Sequence, residues 1–158
     1  MSSRSSALSR RSDRIVLFTW SGAALCGAAL LSPGTVTDSV RVSVVVAESA
    51  RSGEAVLVTL RLTNTSDRRV TLYLTGRAIT FDIVVAGSDG QVVWRRLDRV
   101  TTQQIVHVKA LAPGETLEFQ DRWRVAAPPG NYTVTGVIPT DREPLRTAPA
   151  HLRIAPPP

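Results

Sequence analysis

Apolar and polar residues alternate along most of the chain after residue 33. In the segment 55–63, Val58 and Leu60 share one phase. Thr59 and Arg61 fall in the opposite phase. A period of two is typical of antiparallel strands that bury one face, so each segment of this kind predicts a strand. The segments with this pattern are 39–47, 55–63, 69–75, 78–86, 91–97, 116–125, 131–138 and 148–155.

Turn-forming residues separate these segments at intervals of about 8–12 residues. Asn64 is suited to an Asx-type turn, and Asp89-Gly90 is typical of a hairpin. Pro113-Gly114 is suited to a type II turn, because glycine takes the positive φ that this turn requires. The pattern predicts an all-β fold, an antiparallel β-sandwich with roughly seven to nine strands after residue 38 and no helix longer than two turns.

The first 34 residues have a different character. A basic start is followed by residues 15–31, a run of 17 residues without charge, and then by Ser-Pro-Gly. This order is typical of a secretory signal, and the run approaches the ~20 residues of a membrane-spanning helix. We therefore predict an N-terminal hydrophobic helix, with residues 1–34 acting as a cleaved signal peptide or as a single-pass membrane anchor; lipidation at Cys26 is a third alternative.

This interpretation predicts an exported protein. A basic segment before the apolar run keeps the N-terminus inside and places the following domain outside. The domain is then periplasmic, secreted, or anchored to the cell membrane by residues 15–31. The remaining boundaries are a β-sandwich domain over residues 38–155 and a proline-rich tail at 156–158, since proline lacks the donor that a strand ladder needs.

Charge and composition narrow the range of partners. Residues 1–14 hold four arginines and one aspartate, so this short segment carries half of the formal net charge of +6. In the strand segments, arginine alternates with acidic residues, which is typical of solvated sheet faces and not of a nucleic-acid surface. The single cysteine excludes an intrachain disulfide. We expect a protein partner, no nucleic acid, and membrane contact only through the N-terminal segment.

The sequence offers no set of residues for catalysis. The two histidines, His107 and His151, lack the spacing of metal ligands. There is no Gly-x-Ser-x-Gly motif and no phosphate-binding glycine loop. We therefore predict that the protein is not an enzyme and has no cofactor, no metal and no small-molecule substrate.

Aromatic residues in the strand segments are the candidates for the structural core. Trp94 is in phase with Val92, and Trp123 is in phase with Phe119. Asp121 lies between Phe119 and Trp123 in the same phase, where it marks a bulge, an edge or a buried partner for an arginine. The predicted core aromatics are Phe81, Trp94, Phe119, Trp123 and Tyr132, the last suited to a tyrosine corner.

Four segments in a fixed order resemble the intracellular proteinase inhibitor family, the BsuPI domain. They are LVTLRLTNTSDRRVTL (57–72), FDIVVAGSDGQVVWR (81–95), LAPGETLEFQDRW (111–123) and PPGNYTVTG (128–136). The resemblance covers residues 40–154. It implies an immunoglobulin-like sandwich and inhibition of subtilisin-type serine proteinases. It also implies that Trp94 belongs to the framework and that Arg95 and Arg96 lie on the surface.

Two functional hypotheses follow. In the first, the chain is a proteinase inhibitor that binds its target through a loop. The segments 98–109 and 139–147 are the candidate loops, and the first of them can hold a short strand at 105–108. In the second loop, Arg142 and Arg146 lie between prolines that restrict the backbone, so they are the predicted partner-binding residues. In the second hypothesis, the chain is an envelope adhesion or assembly module without inhibitory activity, which uses a sheet edge or face.

Overall fold

The computed structural model describes residues 36–37, 39–76, 79–98, 100 and 105–157 of the 158-residue chain. The predicted hydrophobic helix, signal peptide or anchor at residues 1–34 lies outside the described residues. In chain order the strands are β1 (Val36–Thr37), β2 (Val40–Val45), β3 (Ser49–Arg51), β4 (Ala55–Asn64), β5 (Val70–Thr75), β6 (Asp82–Gly87), β7 (Val92–Arg95), β8 (Val106–Leu111), β9 (Thr116–Arg124), β10 (Gly130–Ile138), β11 (Leu145–Arg146) and β12 (Ala150–Ala155).

These strands form three sheets. The first sheet has the order β1-β2-β4-β9, and the second has the order β3-β12-β10-β6-β7, with β11 also paired to β10. The third sheet consists of β5 and β8 alone. The parallel pairing of β12 with β3 is the exception among otherwise antiparallel neighbours in the described residues.

The two larger sheets share one hydrophobic core. Val58, Leu60 and Leu62 of β4 are fully buried, as are Ile83 of β6 and Val134 of β10, and all belong to the same cluster. These residues occupy the apolar phase of the alternating pattern, which is why one face of each sheet is dry. Burial of this face supplies the main driving force for folding.

A glycine permits close approach of the two sheets. A Cβ atom at Gly136 of β10 would lie 3.1 Å from Cγ of Leu60 and closer still to both of its methyl groups. The Leu60 side chain therefore occupies the space that a side chain at position 136 would need. A larger residue at this position would force the side chain of Leu60 or the strand itself to move.

The turn after β4 is organised by a buried asparagine. Asn64 is fully buried, and its Oδ1 accepts hydrogen bonds from the backbone N–H (2.9 Å) and the hydroxyl (2.8 Å) of Ser66. Its Nδ2 donates to the carbonyl oxygens of Arg68, Leu111 and Ala112 at 2.7, 3.1 and 3.0 Å. The predicted Asx-type turn is thus confirmed, and the same side chain also ties the turn to the end of β8.

The predicted all-β class is confirmed, and the described residues contain no helix. Each of the eight alternating segments contains a strand, and the segment 105–108 overlaps β8. The predicted number of strands is wrong, because eleven strands of the described chain begin after residue 38. The excess comes from β3 and β11, which have three and two residues and are too short to show an alternating pattern.

Candidate functional site

The connection between β10 and β11, residues 139–144, is an exposed loop attached to β5. Its last four residues are exposed to solvent. The backbone N–H of Asp141 donates to the carbonyl oxygen of Tyr73 at 3.1 Å. The N–H of Thr75 donates to the carbonyl oxygen of Pro139 at 3.2 Å. We call this segment the connecting loop; its ends are held against β5 while its tip projects into water.

Thr140 closes the tip of the connecting loop into a turn. Its hydroxyl accepts a hydrogen bond from the backbone N–H of Arg142 at 3.1 Å. The same hydroxyl donates to the carbonyl oxygen of Glu143 at 2.8 Å. Thr140 is itself fixed by an antiparallel bridge to Leu74 of β5. A hydroxyl that bonds to the backbone two and three residues further on stabilises a compact turn instead of an extended segment.

A groove of about 450 Å³ is lined by residues of β5, of the connecting loop and of β11. Leu72 and Leu145 are half-buried and pack against the core, so they form an apolar floor. Polar and charged groups of the loop form the rim. The lining residues are Thr71, Leu72, Tyr73, Thr140, Asp141, Arg142, Glu143 and Leu145.

The outer face of the two-stranded sheet continues this surface with exposed apolar side chains. Tyr73 of β5 is paired across the sheet with Val108 of β8, and Thr75 is paired with Val106. Tyr73, Val106 and Val108 are 46%, 49% and 65% exposed. Single exposed apolar residues are common on protein surfaces, but a cluster on one face of a sheet marks a contact surface. We call these three residues the outer face of β5–β8.

The structure separates the two predicted partner-binding arginines. Arg142 is exposed at the tip of the connecting loop and lines the groove. Arg146 lies in β11, where it pairs with Val137 of β10. Leu145 lines the groove. Because neighbouring strand residues point to opposite faces, the Arg146 side chain lies on the face of β11 that is turned away from the groove. The predicted loop 139–147 therefore ends earlier than expected.

The second candidate loop, 98–109, ends in a strand. Residues 106–109 belong to β8, in agreement with the predicted short strand. Residues 99 and 101–104 lie outside the described residues.

Sequence reasoning missed the contribution of Thr140 and of β5. A threonine two residues before the N–H that it binds is a local signal for a turn, and it was available in the sequence. The hydrogen bond between Asp141 of the connecting loop and Tyr73 had no such signal, because these two residues are more than sixty positions apart in the chain. For Val106 and Val108 of β8, the alternation in the sequence indicated a short strand but not that these side chains are exposed.

Aromatic residues join the open edges of the two larger sheets. The rings of Trp94 on β7 and Trp123 on β9 are stacked, with centroids 5.8 Å apart and planes at 23°. The rings of Phe81 and Phe119 lie 5.4 Å apart. Trp123 and Phe81 are buried, whereas Trp94 and Phe119 are half-buried and pack against the core. We call this arrangement the β7–β9 seam.

Val92 does not share the burial of Trp94, although both are in the same phase of the sequence. Val92 is 53% exposed. The register between β6 and β7 shifts between Val85 and Ala86, and β7 is an edge strand. An irregularity of this kind changes the phase of a strand, so the alternating pattern is not a guide to burial there.

The two arginines after Trp94 hold carboxylates at the seam. Arg95 is exposed and donates through Nε to the buried carboxylate of Asp82 at 2.5 Å. Arg96 is only 27% exposed, lies over the ring of Phe81, and donates to Asp121 at 2.6 Å. The expectation that both arginines lie on the surface is therefore wrong for Arg96. Of the alternatives for Asp121, the edge is realised, because β9 is the last strand of its sheet. Asp121 also has an arginine partner, but its carboxylate is 37% exposed and not buried.

Tyr132 is buried at the start of β10. Its hydroxyl donates to the carbonyl oxygen of Pro128 at 2.7 Å, four residues upstream. This is the type of hydrogen bond that defines a tyrosine corner.

The surface described here has the composition of a binding surface. The connecting loop presents one arginine and two carboxylates around an apolar floor. Within the described part of the chain, no group of three or more histidine, cysteine or acidic residues is arranged to hold a metal ion. Apolar area with a polar rim is the usual composition of a protein–protein contact.

A protein-family model described as the intracellular proteinase inhibitor, BsuPI, matches residues 43–143. This match covers more than half of the chain and includes the connecting loop up to Glu143. The chain belongs to the BsuPI family. The resemblance seen in the sequence is thereby confirmed. Membership implies a function of the proteinase-inhibitor type with a proteinase as protein partner.

The predicted export is contradicted by this finding. The BsuPI family is described as intracellular, which points to a location inside the cell. The prediction rested on the composition of residues 1–34 alone, and an apolar run after a basic segment is compatible with export without proving it. Among the residues that the structure describes, no helix is long and apolar enough to span a membrane.

No curated protein sequence matches the chain. Among solved structures, the C-terminal domain of wzt is 11% identical, with a TM-score of 0.44 over 68% of this chain and 63% of that chain. The sporulation control protein Spo0M from Bacillus subtilis is 11% identical, with a TM-score of 0.47 over 75% of this chain and 50% of that chain. A beta-glucosidase from Listeria innocua is 13% identical, with a TM-score of 0.40 over 73% of this chain and 16% of that chain. These likenesses are too low to carry an argument about function.

Proposed function

We propose that this BsuPI chain inhibits a subtilisin-type serine proteinase by binding it through the connecting loop and the outer face of β5–β8. The observation that carries the proposal is the attachment of an exposed charged loop to β5 beside exposed apolar side chains. Family membership supports a proteinase as the partner.

The attachment of the loop favours binding. Two backbone hydrogen bonds to β5 and the two bonds of the Thr140 hydroxyl restrict the loop before any partner arrives. Less conformational entropy is then lost on association, which is the usual advantage of a preorganised binding loop. An inhibitor without disulfides needs such restraint from its own packing.

Arg142 is the proposed contact residue of the loop. Arginine is over-represented among the residues that dominate binding energy, because its side chain combines charge, hydrogen-bond donors and apolar area. Arg142 lines the groove, whereas Arg146 lies on the other side of β11 and serves as the comparison. The position of Arg142 in the groove therefore supports Arg142, and not Arg146, as the contact residue.

The test is an inhibition assay with the full-length chain against a subtilisin-type proteinase and a chromogenic peptide substrate. We expect inhibition by the wild type, an inhibition constant about tenfold higher for Arg142→Ala, and little change for Arg146→Ala. Absence of inhibition by the wild type would contradict the subtilisin-type target. Equal inhibition constants for wild type and Arg142→Ala would contradict the proposal that Arg142 contacts the proteinase.

A second candidate function is an assembly module without inhibitory activity. The exposed cluster of Tyr73, Val106 and Val108 favours it, because an apolar sheet face also suits association between protein subunits. Sedimentation of the full-length chain distinguishes the two. Self-association together with an inactive inhibition assay would favour assembly.

We also propose that the sandwich is immunoglobulin-like. The hydrogen bond from Tyr132 to the carbonyl oxygen of Pro128 supports this, since tyrosine corners are characteristic of such folds. The buried tryptophan of β9 and the antiparallel pairing of most strands are compatible with it.

A further inference from the structure

We propose that Thr140 is a positioning residue that keeps the connecting loop in a closed turn, so that a proteinase can bind the loop without cleaving it. The protection from a bound proteinase rests on the proposed function. The closure of the turn by the Thr140 hydroxyl concerns the loop alone and can be tested without the natural target.

The hydroxyl of Thr140 determines the conformation of the exposed tip. It is bonded to the N–H of Arg142 and to the carbonyl oxygen of Glu143, which are the backbone groups on either side of the Arg142–Glu143 peptide bond. A proteinase cleaves a folded protein through locally opened conformations, in which the backbone becomes extended and accessible. Both hydrogen bonds must break before this peptide bond can adopt such a conformation.

The rest of the loop is held independently of the hydroxyl. The N–H of Asp141 is bonded to Tyr73, and Pro139 accepts a hydrogen bond from Thr75. These two hydrogen bonds make up the backbone bridge between Leu74 and Thr140, which does not involve the threonine side chain. Loss of the hydroxyl should therefore open the tip of the loop while its ends stay attached to β5.

Valine has nearly the shape of threonine but lacks the hydroxyl, so Thr140→Val removes the two hydrogen bonds with little change in volume. Thr140→Ser keeps the hydroxyl and is the rescuing variant. Thr116→Val is the matched control, because the Thr116 hydroxyl is bonded to Thr63 on the surface of β9 and β4 and takes no part in the loop.

The experiment uses trypsin as a probe that cleaves after arginine. Mass spectrometry follows the fragment that ends at Arg142 in the full-length wild type and in the three variants. We expect cleavage at this bond to be about tenfold faster in Thr140→Val than in wild type, Thr140→Ser and Thr116→Val. A Thr140→Val variant cleaved at the wild-type rate would overturn the proposal, as would a Thr140→Ser variant cleaved as fast as Thr140→Val.

Hydrogen exchange of the wild type covers the case in which Thr140→Val does not fold. The amide of Arg142 should exchange at least about tenfold more slowly than an unprotected amide, because its N–H is bonded to the Thr140 hydroxyl. Exchange at the unprotected rate would overturn the proposal.

The same variants in the inhibition assay separate this inference from the proposed function. If Thr140→Val inhibits more weakly and is degraded during the assay, the turn protects the inhibitor as proposed. If the wild type inhibits no proteinase but the cleavage and exchange results hold, the proposed function fails and the role of Thr140 stands.

Discussion

At the scale of single residues, buried polar side chains organise the turns of this protein. The two N–H groups of the Asn64 amide are shared among three carbonyl oxygens from two separate parts of the chain, while its own oxygen accepts from Ser66. A buried polar group that loses its partner costs far more than the net value of one hydrogen bond. Such a residue therefore specifies the local arrangement as well as stabilising it.

We expect Asn64→Ala to lower the free energy of unfolding by roughly 3 kcal/mol, because it leaves buried carbonyl oxygens without a donor. Urea unfolding monitored by fluorescence measures the change. Thr65→Ala, at the exposed neighbouring position, is the control and should change the stability by less than about 0.5 kcal/mol. A similar loss in both variants would contradict the role of the Asn64 side chain.

At the scale of elements, the sandwich is closed at one side by the β7–β9 seam. The two strands are edges of different sheets, and they meet through the stacked rings of Trp94 and Trp123 and the ion pair of Arg96 with Asp121. The two tryptophans are not equivalent. Trp123 is only 2% exposed, whereas Trp94 is half-buried on the outer side of the contact.

We expect Trp123→Ala to destabilise the protein by about 3–5 kcal/mol, since it removes a fully buried aromatic side chain. Trp94→Ala should cost less, because part of this ring already faces water. Denaturant unfolding of the two variants gives the comparison. A larger loss for Trp94→Ala than for Trp123→Ala would show that the seam depends mainly on the edge strand β7.

At the scale of the whole molecule, the apolar surface is distributed unevenly. In the larger sheets, polar residues face water between apolar ones, as in β9, where Glu118 and Arg122 are exposed and Phe119 and Trp123 are half-buried and buried. The two-stranded sheet departs from this rule by exposing Tyr73, Val106 and Val108 beside the connecting loop. The proposed binding surface therefore combines an apolar patch with a charged loop, while the solvated faces of the larger sheets carry paired charges such as Arg61 with Glu118.

We expect Val108→Lys to raise the inhibition constant about tenfold while leaving the melting temperature within a few degrees of the wild type, because Val108 is exposed. Val93→Lys, which replaces an exposed valine of β7, is the matched control and should leave inhibition unchanged. Wild-type inhibition by Val108→Lys would exclude the outer face of β5–β8 from the interface.

The sequence by itself determined the class of the fold, the positions of the main strands and the family. Alternation with a period of two is a property of neighbouring residues, so β4 and β10 could be predicted without knowing their partners. The Asx-type turn at Asn64 was predicted for the same reason. The localisation was wrong because an apolar segment near the N-terminus has more than one use, and the family description decided against export.

The tertiary structure decided which predicted residues lie together. Arg142 and Arg146 are four positions apart, but only Arg142 lines the groove, because Arg146 lies in β11 on the face opposite to Leu145. The partner of Asp121 is Arg96, and the support of the connecting loop is β5. Such contacts join residues far apart in the chain and depend on strand pairing and register, which local periodicity does not encode.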